Sequence, residues 1–138
     1  MLSSKLNETT LKNIIDILTK NVKPTLIYIF GSAARNELRE DSDIDIAYLS
    51  DVALSNYEIF MLANDVADIV KRDVDLIDLN KASTVFKAQI VGNGRVIYCS
   101  DDTKRMYFEM YAFKDYALLN EERKEILDGI RKRGNIYG

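Results

Sequence analysis

Residues 26–49 read LIYIFGSAARNELREDSDIDIAYL, and a strand stands at each end of this stretch. The run Leu26–Phe30 is short, β-branched and aromatic. It stops at Gly31, the pattern of a buried strand entering a tight turn. A polar segment over 37–42 leads into a second strand over 43–49, where acidic and apolar residues alternate at the start. Side chains two apart on a strand share a face, with about 7 Å between their α-carbons. Asp43 and Asp45 are therefore expected on one face, with Ile44 and Ile46 on the other, toward a core.

Outward from this stretch, helices and strands alternate. Before it, Leu11, Ile14, Ile15 and Leu18 recur at helical spacing and predict an amphipathic helix ending ahead of Pro24, the only proline. After it, Ser55 and Glu58 have the spacing of a capping box. They open a helix carrying Ile59, Leu62, Ala63, Val66, Ile69 and Val70 on one face. A third strand is predicted over 74–79, and a short helix over 83–91 stopped by Gly92. Asn93-Gly94 then turns into a last strand over 96–99. From 102 to about 133 only Gly129 interrupts a helical pattern, with Met106, Met110, Phe113 and Ala117 on the face expected to pack. The strands are too few for a doubly wound sheet, so the expected fold is α+β, a small mixed sheet with flanking helices and a long C-terminal helix. No Gly/Ser-rich linker or repeat breaks the 138 residues. One domain over 1–138 is expected, its core over about 8–100 and a C-terminal helical segment over about 101–134.

Composition removes several chemistries. There is no His, so His-based general bases, zinc fingers and HExxH zinc sites are excluded. A single Cys99 excludes an internal disulfide framework and any CxxC pair. A metal would have to be held by oxygen ligands, which points to magnesium, manganese or calcium. With 19 Lys and Arg against 22 Asp and Glu, the formal net charge of -3 gives no basis for a nucleic-acid coat. No segment approaches the roughly 20 apolar residues of a membrane helix. A soluble, cytoplasmic protein is expected, with no membrane partner and no direct nucleic-acid contact.

The chemistry lies in Gly31-Ser32, ten residues, then Asp43-Ile44-Asp45. Two short carboxylates side by side repel each other unless a cation lies between them. Two metal ions about 4 Å apart could share both, the arrangement used for in-line phosphoryl transfer. A glycine directly after a buried strand lets the backbone approach a ligand closely, and amides at such a turn make a phosphate nest. The Ser32 hydroxyl can donate to a phosphate oxygen. On the third strand Asp75 sits among apolar neighbours, where an acid is costly unless it has a partner or a task. It could complete the metal site and take a proton from an attacking hydroxyl. Asp73 shares its face and Asp78 lies on the other, so alternation alone leaves the third carboxylate open.

The segment FGSAARNELREDSDIDIAYL resembles the signature of the minimal nucleotidyltransferases of the DNA polymerase β-like superfamily. Their pattern is GS, ten residues and DxD, with Arg soon after the GS and Ser just before the first Asp. Arg35 and Ser42 occupy those two places. RDVDLIDLNKASTVFKAQIVGNGRVIY resembles the continuation in the MntA-type antitoxins of HEPN/MNT toxin–antitoxin modules. The likeness spans roughly residues 20–98, with Asn36 departing in the loop where many relatives have Gly. It implies a palm-like nucleotidyltransferase fold and a magnesium-dependent enzyme that transfers AMP from ATP to a tyrosine of a HEPN ribonuclease toxin. By that likeness Gly31, Ser32, Arg35 and Ser42 would bind the triphosphate. Asp43, Asp45 and Asp75 would be the catalytic carboxylates and the ligands of about two Mg2+ ions, with Asp75 as base. The alternatives are a small-molecule, aminoglycoside-type nucleotidyltransferase, which carries a further substrate domain, and a non-catalytic antitoxin acting by occlusion. Tyr107, Tyr111 and Tyr116 spread around the last helix, so not all can face one core. Such an aromatic surplus is typical of a partner-binding surface.

Overall fold

The computed structural model describes residues 7–31 and 43–137. In chain order the elements are α1 (Glu8–Val22), β1 (Leu26–Phe30), β2 (Ile44–Leu49), α2 (Asn56–Val70), β3 (Val74–Asp78), a 3-10 turn (Leu79–Lys81), α3 (Thr84–Asn93), β4 (Arg95–Cys99) and α4 (Asp102–Tyr137). The four strands form one sheet in the order β3-β2-β1-β4. β1 is antiparallel to both β2 and β4, while β2 and β3 run parallel, so the sheet is mixed as expected. β1 is central and covered on both sides, which is why LIYIF is apolar throughout instead of alternating.

Strand periodicity sorts the sheet's side chains into two cores. One face sends Ile27, Ile29, Ile44, Ile46, Tyr48 and Leu76 against Ile14 and Leu18 of α1 and Leu62 and Val66 of α2. The other sends Leu26, Tyr28 and Ala47 against Ile90 and Phe86 of α3 and Phe108 of α4. The helix starts follow from local chemistry. Ser55 Oγ accepts from the Glu58 amide at 3.1 Å and Glu58 Oε1 accepts from the Ser55 amide at 3.0 Å, completing the capping box. Ser83 caps α3 through the Phe86 amide.

Two expectations need correction. α3 runs through Gly92 to Asn93 and ends on Gly94, whose amide donates to Ile90 O at 2.7 Å. A Cβ on Gly94 would stand 2.5 Å from Ile90 O and 3.2 Å from Ile29 O, so the close approach of helix end and β1 falls there, not at Gly92. On α4, Met106, Met110 and Phe113 do not form the packed face; they are 56%, 48% and 49% exposed. The packed face carries Arg105, Phe108, Glu109, Ala112, Tyr116 and Leu119. The roll of the helix is set by Phe108 in the second core and by Tyr28, whose hydroxyl donates to Glu109 Oε2 at 2.8 Å. Burial and that carboxylate hold the Tyr28 phenol far above its ordinary range, so it stays a donor. Among the described residues no helix is long and apolar enough to cross a membrane.

Candidate active site

Register brings the candidate carboxylates together. Phe30 pairs with Asp45 across β1 and β2, and Asp45 pairs with Asp75 across β2 and β3. Cross-strand partners share a face, so Phe30, Asp45 and Asp75 form one row over three adjacent strands. That face is the one bearing Tyr28 and Ala47, on the α3 and α4 side. Asp43 stands exposed just before β2 begins. Of the acids that alternation left open on the third strand, Asp75 alone is aligned with Asp45. Asp78 turns to the opposite face and is nearly buried, where its Oδ1 caps the 3-10 turn by accepting from the Asn80 amide at 2.9 Å. Asp73 lies exposed ahead of β3, and its carbonyl accepts from the Ile44 amide at 2.9 Å.

The turn after β1 is shaped around this row. Gly31 has φ of 66°, in the left-handed region that side chains seldom adopt. A Cβ there would collide with Asp45 Oδ2. The glycine thus does two things: it reverses the chain at the strand end, and it leaves the Asp45 carboxylate room to lie against the turn. The steric dependence of Gly31 on Asp45 carries no one-dimensional signal, because the two are 14 positions apart.

Asp45 shows what the row lacks. Its carboxyl is pushed up from the ordinary 3.8 to about 6, first by burial, then by a hydrogen bond with Asp75 and the charges of Asp75 and Asp43. Two carboxylates can share a hydrogen bond only if one keeps a proton, so the pair behaves as an acidic site short of positive charge. Among the described residues no three acidic or thiol groups converge as a complete ligand set. The donors are nonetheless all hard oxygens, and magnesium is commonly held by one or two carboxylates plus substrate phosphates and water, not by an all-protein cage. The residues therefore fit a magnesium site of that kind.

Comparison with known proteins gives the same direction. The polymerase beta nucleotidyltransferase family matches residues 12–103. The chain belongs to that family. It is 36% identical over 127 residues to the protein adenylyltransferase MntA of Shewanella oneidensis, covering 91% of this chain and 88% of that protein. A putative protein adenylyltransferase of Methanocaldococcus jannaschii is 40% identical over 78 residues, covering 51% of this chain and 80% of that one. Among solved structures, a toxin–antitoxin with AMP-PNP contains a chain that superposes with a TM-score of 0.78 at 36% identity, covering 87% of this chain and 97% of that chain. A tri-AMPylated Shewanella oneidensis HEPN toxin in complex with its MNT antitoxin gives 0.76 at 33% identity, covering 91% and 98%. The mixed sheet with its flanking helices thus has the nucleotidyltransferase fold of this family. Ser32, Arg35 and Ser42, the remaining expected phosphate-binding residues, lie outside the described residues.

The Asp45 shift has a consequence for stability in the absence of metal. Its folded value of about 6 exceeds the ordinary 3.8 of an exposed Asp, so the folded state holds the proton more tightly. The associated stability is fully present below about 3.8 and is lost as pH rises through about 6. Asp45 is only partly buried, so after screening the effect is on the order of 1 kcal/mol. In thermal melts with chelator, Asp45→Asn is expected to exceed the wild type at pH 7.5, the gap shrinking toward pH 4.5. A gap independent of pH would contradict the strained acid pair.

Proposed function

We propose that this nucleotidyltransferase is a magnesium-dependent protein adenylyltransferase that silences a HEPN-type ribonuclease toxin by moving AMP from ATP onto one of its tyrosines. The observation that carries this reading is the row of Asp45 and Asp75 beside Gly31, with Asp43 two residues away, on a chain alignable over nine tenths of its length with a protein adenylyltransferase.

Each residue then has a task. The Gly31 turn offers a backbone amide to a triphosphate, and by the family's sequence pattern Ser32, Arg35 and Ser42 would bind it as well. Asp43 and Asp45 would hold the magnesium ions, about two of them, and Asp75 would complete the acidic set. Bound there, the ions supply positive charge that neutralises the triphosphate and the departing pyrophosphate. Asp75 takes the proton from the acceptor hydroxyl as its oxygen bonds to the α-phosphorus, and the bond from that phosphorus to the bridging oxygen breaks. Pyrophosphate leaves with the electron pair. Pyrophosphate release that requires both the partner and magnesium is the expected assay result; release without transfer to the partner would contradict the assignment.

The surface of α4 supports a protein acceptor over a small molecule. Tyr107 and Tyr111 are 49% and 51% exposed, with Met106 and Met110 beside them. Lys114 Nζ lies 5.8 Å from the Tyr111 ring centroid, which steadies the ring without covering it. Large aromatic side chains at this exposure are characteristic anchors of an interface. Truncating Tyr107 and Tyr111 to Ala is expected to weaken partner binding by about 1–3 kcal/mol in calorimetry while leaving the melting temperature unchanged. Unaltered affinity would remove α4 from the interface.

A further inference from the structure

α2 turns an apolar surface to solvent. Tyr57 and Phe60 are 70% and 61% exposed, and Met61 stands exposed beside them. A cavity of about 380 Å³ opens against this surface, with Leu54, Tyr57, Glu58, Met61 and Asp65 in its lining. Tyr57, Met61, Asp65 and Asp68 are spaced to fall on one side of the helix, and both of these acids are exposed. Over 56–70 the sequence holds Glu58, Asp65 and Asp68 and no Lys or Arg, so the face of α2 is aromatic and acidic.

The end of α4 has the opposite character. Past Leu119 every described side chain except Asp128 is exposed, and residues 120–137 carry the helix about 27 Å beyond its packed stretch. Ile126, Leu127 and Ile130 are each more than half exposed. Ile126 and Ile130 continue the stripe of Phe108 and Ala112 about five turns further on. Arg123, Leu127 and Arg131, four apart, run alongside them, with Glu122 at the edge. Glu121, Glu125 and Asp128 fall on the other side of the helix. The projecting face is therefore aliphatic and basic. Apolar surface of this extent left in water marks a contact site.

The two faces complement each other but cannot meet within one molecule. α2 packs on the side of the sheet that bears Ile44 and Ile46, whereas α4 is one unbroken helix held by Phe108 on the side that bears Tyr28. A second copy supplies both missing partners. We propose that the end of α4 from one copy docks on α2 of another, reciprocally, closing a two-fold dimer. Across the two-fold axis each chain gives one surface of each kind, so all four patches are covered and no open filament grows. Leu127 then seats in the α2 cavity, with Arg123 and Arg131 set among Glu58, Asp65 and Asp68.

The test is analytical ultracentrifugation of the isolated full chain, without nucleotide or toxin. A dimer that weakens as salt rises is expected. Arg123→Glu with Arg131→Glu should weaken association at least about tenfold, as should Asp65→Arg with Asp68→Arg, each with its helical circular dichroism kept. Mixed together, the two variants should dimerise again, because each reversed face meets its complement on the other chain. Ile126→Ala with Ile130→Ala should weaken the dimer while leaving every charge in place. A monomeric wild type overturns the proposal and leaves both faces to other partners. Charge reversals that leave the dimer intact overturn it too, as do reversals that dissociate it without recovery on mixing.

Discussion

Replacing Asp43 and Asp45 together by Asn is expected to lower AMP transfer by at least about a thousandfold while the fold survives. Asn keeps the shape of Asp and removes the charge that would hold the cations. The structure gives no reason for collapse: Asp43 is exposed, and Asp45 is an acid whose ionisation is resisted by its neighbours. Relieving that repulsion makes the metal-free variant equal to or more stable than the wild type near neutral pH. Transfer is read by label incorporated into the partner, and folding by circular dichroism and melting. Retained transfer in a folded double variant would show that these carboxylates are not the metal ligands.

The second large effect is expected at Gly31. Gly31→Ala forces a side chain into φ of 66° and drives its Cβ into Asp45 Oδ2. The left-handed backbone alone costs about 1–2 kcal/mol, and the collision must be relieved by moving the carboxylate from its place. A displacement of about an ångström in a catalytic group can cost about a hundredfold in rate. Activity should therefore fall by about that factor, with loss of stability beside it. Gly92→Ala is the control, since its Cβ would meet only Phe113 Cε1 at 3.9 Å, ordinary contact, within a helix. It should be neutral or stabilise by about 0.5–1 kcal/mol. Equal losses at both glycines would argue against a special role for the Gly31–Asp45 contact.

Much of the sheet was legible because β1 and β2 have patterns that admit one interpretation: a continuous apolar run for the central strand, and acid-apolar alternation for its neighbour. The capping box at Ser55 was equally plain, being a local arrangement of two side chains. What the chain could not reveal one-dimensionally is register. Alternation leaves Asp73, Asp75 and Asp78 equally open, whereas the parallel pairing of β2 and β3 sets Asp75 against Asp45 and leaves Asp78 to cap a turn. The packed face of α4 is hidden in the sequence for a related reason. Met106, Tyr107, Met110, Tyr111 and Phe113 cover one side of the helix and Phe108, Ala112, Tyr116 and Leu119 the other, so periodicity offers no single apolar stripe. A hydrogen bond from Tyr28, 81 residues away, helps to set the roll. Phe30 joins the acidic row through strand register and not through a motif, so its place there is invisible in one dimension.

Whether the partner is chemically changed or merely covered is decided most directly by its intact mass. The partner is incubated in molar excess with this protein, ATP and magnesium, then weighed after separation. An enzyme acts and leaves, so the whole excess should lose ribonuclease activity and gain mass in whole AMP units, with no change when magnesium is chelated. Protection that requires equimolar protein and leaves the partner's mass unaltered would contradict nucleotidyl transfer and establish occlusion in its place.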